Sequence, residues 1–166
     1  MIISIDPGKF KVAYAIWDPQ SYTLVSAGLV IVSAGHDLSR VAAWAVVAYW
    51  VDVELGISSG KPVDMIVEIP EIYRDAKKTD PNDLIDLAGV VGAIASKICV
   101  GSVVWSPLPK EWKGQLPKHV TQSRVDAKLS DLEKSKIKWP AKHLKHNTYD
   151  AIHLGLTYLA KKGLRI

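Results

Sequence analysis

A chain of 166 residues, 48% hydrophobic and 23% charged, predicts one domain spanning residues 1–166 with enough apolar surface to bury a core. No run of about 18 apolar residues occurs, and the N-terminus lacks a basic stretch followed by an apolar one, so neither a membrane span nor a signal peptide is predicted. The single cysteine, Cys99, excludes an internal disulfide and a thiolate metal cluster, and it suits a reducing cytoplasm.

Charge is unevenly spread. Residues 1–100 hold 8 Lys/Arg against 12 Asp/Glu, whereas residues 101–166 hold 13 against 5 and four of the five histidines. A basic second part points to a polyanion partner with a localised footprint, although solvated helix faces account for most lysine-rich stretches.

The first predicted strand is Ile2 to Asp6, an apolar run that enters a carboxylate and stops at Pro7-Gly8-Lys9. Such a run suits a strand covered on both faces, with Asp6 at its end facing a cleft. A buried terminal carboxylate needs a partner; a divalent metal is one candidate and its own turn backbone is another. Val12 to Trp17 follows closely enough for a hairpin, and Tyr22 to Val32 reads as a long third strand bulged at Gly28. These three should be antiparallel neighbours. A helix from His36-Asp37 to about Leu55 follows, with Asp37 as N-cap and Gly56 as stop. It is apolar nearly all round, so one face packs on the sheet and the rest is available to a second subunit.

Val63 to Ile69 is the fourth strand, and the preceding helix makes it parallel to the first. Glu68 then lies at the same sheet end as Asp6. A polar loop over 70–81 leads into a helix from about Asn82 to Cys99, where Gly89 and Gly92 mark close approach of another element. Gly101 to Ser106 is a short fifth strand. The prolines of Pro107 to Lys118 predict irregular structure carrying Trp112 and three lysines. Thr121 is expected to cap a short helix, Lys134 to Lys145 is basic, and a last helix begins near Asn147.

Asp6, Glu68 and Asp150, the last in the first turn of the final helix, therefore converge on one rim of an α/β sheet. Three carboxylates there repel one another unless divalent cations neutralise them, and oxygen donors favour Mg²⁺ or Mn²⁺ over Zn²⁺. Two such ions about 4 Å apart can hold the attacking water and the leaving oxygen in phosphodiester hydrolysis. His146 and Asn147 share the face of Asp150 and can supply a fourth ligand or position water. Asn147 is equally suited to capping the helix, His146 to contacting phosphate, and Asp150 to complementing the helix dipole.

On these residues the chain resembles the Holliday-junction resolvases of the RuvC type, within the RNase H-like nuclease superfamily, and in particular their bacteriophage members. The matching segments are Ile3-Ser-Ile-Asp-Pro-Gly, Val12-Ala-Tyr-Ala-Ile, Ile66-Val-Glu, the Leu-rich helix Leu84 to Ala95, Ser106-Pro with Trp112-Lys113, and Tyr149-Asp150-Ala151, in the family order across nearly the whole chain. The resemblance implies an α/β, RNase H-like fold: a five-stranded mixed sheet of order 3-2-1-4-5 flanked by helices. It also implies a homodimer that nicks a four-way DNA junction at two sites, with Mg²⁺ or Mn²⁺, leaving 5′-phosphate and 3′-hydroxyl ends. Asp6, Glu68 and Asp150 would be the metal-binding acids. The family's fourth ligand, three residues before the last acid, is Asn147 here, a neutral and weaker donor with His146 beside it.

Lys113 matches a basic residue used near the scissile phosphate, and Lys9, Lys110 and Lys118 are further candidate backbone contacts. Trp112 could stack on an unpaired base, worth ~1–3 kcal/mol, or anchor its loop to the domain. Tyr73 lies near the position of a family aromatic that wedges into the junction. Neither a membrane nor a nucleotide cofactor is implied. Other readings stand beside this one: an RNase H-type or ribosomal RNA processing nuclease, an ATP-binding domain of the actin and sugar-kinase type, and a junction-binding module without catalysis. The ATPase architecture needs two such domains around its nucleotide, and this chain has room for one.

Overall fold

The computed structural model describes residues 1–33, 38–71, 80–114 and 116–165. Five strands form one mixed sheet: β1 (Ile2–Asp6), β2 (Lys11–Trp17), β3 (Leu24–Ile31), β4 (Val63–Val67) and β5 (Gly101–Trp105), in the order β3-β2-β1-β4-β5. β1 pairs antiparallel with β2, and β2 with β3, while β4 runs parallel to both β1 and β5. This is the expected RNase H-like arrangement, and its cause is connection length. A tight turn joins β1 to β2, and helix α1 (Arg40–Leu55) carries the chain across the sheet before β4.

Strand parity separates two cores. Ile3 and Ile5 face one side, where α1 and α2 (Pro81–Ala95) pack through Val47, Val51, Val90 and Ile94. Ile2, Ser4 and Asp6 alternate onto the other side, toward α6 (Lys145–Lys161), which buries Ile152, Leu154, Leu156 and Leu159 against Trp17 and Leu24. Ile66 belongs to this second core, so Glu68, two residues on, points to the same face. Parity thus puts two of the acids under the helix that carries the third.

The register between β1 and α6 is set by a buried polar tie. Ser4 Oγ donates to the Ala151 carbonyl at 2.8 Å, and Trp17 Nε1 donates to Ser4 Oγ at 3.1 Å. Gly155 permits this approach, because a Cβ there would collide with the Trp17 indole and Ser4 Oγ. Ser4 is two residues from Asp6 and Ala151 is next to Asp150, so the tie sets the spacing of those acids.

Several boundaries depart from expectation. The β-irregularity falls between Ile16 and Trp17 of β2, opposite Val25, whereas Gly28 pairs in register with Tyr14. Ser39 caps α1, its side chain accepting from Ala42 N; the expected cap Asp37 lies outside the described residues, and Gly56 ends the helix in the left-handed conformation as expected. α2 is capped by Asp80 and stops at Ala95, four residues before Cys99. Gly89 does mark a close approach, its missing Cβ leaving room for the Trp44 ring, but at Gly92 a Cβ would meet no other described element within 4 Å. Proline does not keep residues 107–118 irregular: Pro109 opens the one-turn helix α3 (Pro109–Trp112), where its missing N–H costs nothing. Thr121 caps no helix. It is buried within α4 (Lys118–Lys128), which Pro117 precedes. The basic segment contains a short helix α5 (Asp131–Lys134) and a 3-10 turn (Lys142–Leu144). α6 then starts at Lys145 with Leu144 at the cap position, which excludes Asn147 as N-cap and moves Asp150 into the second turn.

Candidate active site

β1 ends at Asp6. β4 ends at Val67, and Glu68 follows it, still tied to β1 by its N–H to the Ile5 carbonyl at 3.3 Å. Asp150, buried, comes down from α6. Burial pushes the Asp6 carboxyl well above the usual aspartate range, the nearby charges of Glu68 and Asp150 push it further, and Lys113 alone opposes them. Burial also raises Glu68, against a hydrogen bond from Trp112 and the charge of Lys113. No described residue donates a hydrogen bond to the Asp6 carboxylate.

Two internal donors stand on the other acids. The Lys113 ammonium pairs with Asp150 Oδ2. Burial works to lower the Lys113 pKa, but its hydrogen bond to Asp150 and the charges of all three acids raise it. Trp112 Nε1 donates to Glu68 Oε2 at 2.8 Å. Its ring is 6% exposed and packs on His153, centroids 5.4 Å apart. Trp112 therefore anchors its loop and orients an acid, and no base can stack on it in this arrangement. His153, one turn after Asp150 on the same helix face, was not singled out from the sequence, although its i+3 spacing from that acid was a usable signal.

Among the described residues no three His, Cys, Asp or Glu side chains are drawn together tightly enough to form a ready coordination set. The donor chemistry nevertheless fits a hard divalent cation. It consists of carboxylate oxygens, with the charges of Glu68 and Asp150 disfavouring ionisation of Asp6 and one ammonium already serving as a counter-ion. Asp6, Glu68 and Asp150 are the residues that could hold such an ion.

The remaining candidates divide. Burial and the charge of Lys118 lower the His146 pKa, while Asp150 acts in the opposite direction, so this imidazole is within electrostatic range of Asp150. Asn147 lines a cleft with the β1–β2 turn. Lys9 is engaged by Asp86, Nζ to Oδ2 2.5 Å, and Lys110 by Glu71 at 2.6 Å. Lys118 is exposed at the start of α4. Tyr73 lies outside the described residues. Asp86, also unanticipated, is buried on α2 and gathers Lys9, Arg40 Nε at 3.1 Å and Trp44 Nε1 at 3.1 Å. It thereby fixes the β1–β2 turn to both helices of the opposite face.

No protein-family model matches the chain, and no curated protein matches it in sequence. Its fold is similar to two solved structures of RuvC from Thermus thermophilus. One, in complex with Holliday junction substrate, superposes with a TM-score of 0.56 at 15% identity, covering 99% of this chain and 96% of that one. The other gives a TM-score of 0.55 at 15% identity, with 99% and 97% covered. The chain therefore has the RuvC-type, RNase H-like fold over its length.

Proposed function

We propose that the chain is a metal-dependent endonuclease that resolves four-way DNA junctions, acting as a homodimer that cuts two strands and leaves 5′-phosphate and 3′-hydroxyl ends. One observation supports the reading: Asp6, Glu68 and Asp150, on two strand ends and a helix of a RuvC-type fold, lie within electrostatic range of one another and of Lys113, which pairs with Asp150. The junction-bound RuvC neighbour supports branched DNA as substrate. A pair of divalent cations, Mg²⁺ or Mn²⁺, would neutralise the phosphate and activate the attacking water. The chain's own groups hold and orient. Trp112 keeps Glu68 aimed, the Ser4–Ala151 tie sets Asp150 against Asp6, and Lys113 is within reach of the developing negative charge.

The dimer is supported by an apolar surface that no described element covers. Val41, Tyr49, Trp50 and Val53 of α1 are each at least half exposed, as is Ile85 of the adjacent α2. No described helix is long and apolar enough to cross a membrane, and a bacterial or phage-infected cytoplasm is the setting we infer.

The test is cleavage of a synthetic four-way junction by purified protein, with and without Mg²⁺ or Mn²⁺. Paired symmetric nicks that require the metal are expected. Equal cutting of RNA–DNA hybrids by a monomer would move the assignment to another nuclease of the superfamily. Junction binding with no cleavage under any metal would leave a binding module, a reading the neutral Asn147 favours.

A further inference from the structure

The turn between β1 and β2 and the first turn of α6 enclose a cleft of about 340 Å³ lined by Gly8, Lys9, Phe10, Lys11 and Asn147. The turn follows directly on Asp6, and Asn147 lies three residues before Asp150, so in the chain the cleft is next to two of the three acids. Its lining contains no carboxylate. Lys9 is drawn away to Asp86, which holds the turn in place. The Lys11 ammonium and the Asn147 amide have no hydrogen-bond or ion-pair partner among the described residues. Phe10 is partly exposed, with the Lys9 ammonium 5.8 Å from its ring centre.

One cation unpaired among the described residues, a neutral amide with two N–H donors and an aromatic ring, in a lining without a carboxylate, suit a phosphodiester and its sugar. A carboxylate at position 147 would face that phosphate with like charge; the amide can donate to it. We propose that this cleft is a phosphodiester subsite for the DNA strand that runs past Asp6, Glu68 and Asp150, and that Asn147 there contacts substrate and does not ligate metal. Lys11 supplies charge, Asn147 an N–H to a non-bridging oxygen, and Phe10 an apolar wall for the sugar. The inference rests on the nuclease reading and deepens it.

Binding of a fluorescent four-way junction in EDTA tests it without any turnover. Lys11→Ala is expected to weaken binding about 3- to 10-fold and to reduce the slope of log Kd against log salt by about 0.9, the signature of one lost phosphate contact. Asn147→Ala is expected to weaken binding about 5-fold with the slope unchanged, because a neutral donor releases no counterion. Asn147→Asp should bind more weakly than Asn147→Ala. Calorimetric Mn²⁺ binding by Asn147→Ala should match the wild type. Wild-type affinity in both alanine variants would overturn the subsite, and lost Mn²⁺ binding in Asn147→Ala would return that residue to the metal. Failure of the wild-type protein to bind any DNA would instead overturn the nuclease reading, and the subsite with it.

Discussion

Acids at two ends of this molecule have opposite fates. Glu133, on α5, is 4% exposed and fully supplied with donors. Its Oε1 accepts from Leu24 N at 2.8 Å and Arg165 Nη1 at 2.7 Å, and its Oε2 from Ser130 N at 3.0 Å, Ser130 Oγ at 2.9 Å and Arg165 Nη2 at 3.0 Å. Burial works to raise its pKa, but the Arg165 guanidinium and the N–H groups of Leu24 and Ser130 prevail and bring it down to about 2. At the other end Asp6, Glu68 and Asp150 share one lysine and one indole, and Asp6 is held well above the usual range. The first arrangement is closed and serves the fold by tying the chain after α4 to β3. The second has one cation for three acids, and a fold keeps such crowding where a ligand supplies the missing charge.

The contrast breaks most sharply at the site. Asp6→Asn, Glu68→Gln or Asp150→Asn is expected to reduce single-turnover junction cleavage by about 10³-fold or more, since each removes a charge that would hold metal against the phosphate. Rates within tenfold of wild type in all three would show that the acids merely coexist. Lys113→Ala is expected to slow cleavage about 10²-fold while weakening junction binding less than about threefold. Equal losses in both would make Lys113 a general backbone contact.

At the closed end the readout is stability. Glu133→Gln is expected to lower the unfolding free energy by about 2–3 kcal/mol at pH 7, measured by urea denaturation, with the folded fraction still able to cleave. Because the folded pKa lies below the ordinary glutamate value of 4.5, this contribution is present above that value and lost as pH falls from 4.5 toward 2. The gap between wild type and variant should therefore close across that window. A gap that persisted at the acid end would mean the side chain acts through packing and not through its charge.

Much of this could be read from the chain before any coordinates. Asp6 and Glu68 were legible because each ends an apolar run, and the short turn after β1 and the helix before β4 fix antiparallel and parallel pairing in turn. What stayed hidden depends on three-dimensional partners. Glu133 reads as one more charge in a basic stretch, and only the fold brings Arg165 from 32 residues away to meet it. Lys9 looks like a phosphate contact until the fold brings Asp86 to it. The start of α6 was misplaced because Lys145 and His146 carry no capping signal, and the helix begins there through continuity with the 3-10 turn before it. Trp112 was ambiguous between base stacking and anchoring, since an indole suits both until burial and the bond to Glu68 decide.

The smallest expected effect is also the one that tests the meaning of the crowding. Asp6 in the metal-free fold binds its proton more tightly than in the unfolded chain, because its carboxylate is buried beside two others. Folding stability should therefore decline as pH rises from the ordinary aspartate value of 3.8 through the raised folded value. Asp6→Asn removes the charge while keeping the shape, so in EDTA at neutral pH the variant is expected to be more stable than wild type. That advantage should vanish in acid, where the wild-type carboxyl is already neutral. It should also shrink or reverse in saturating Mn²⁺, because only the wild type then gains the free energy of binding a cation. A variant less stable than wild type in EDTA at neutral pH would show that the Asp6 carboxylate serves the fold as Glu133 does, and the distinction between the two ends of the molecule would fail.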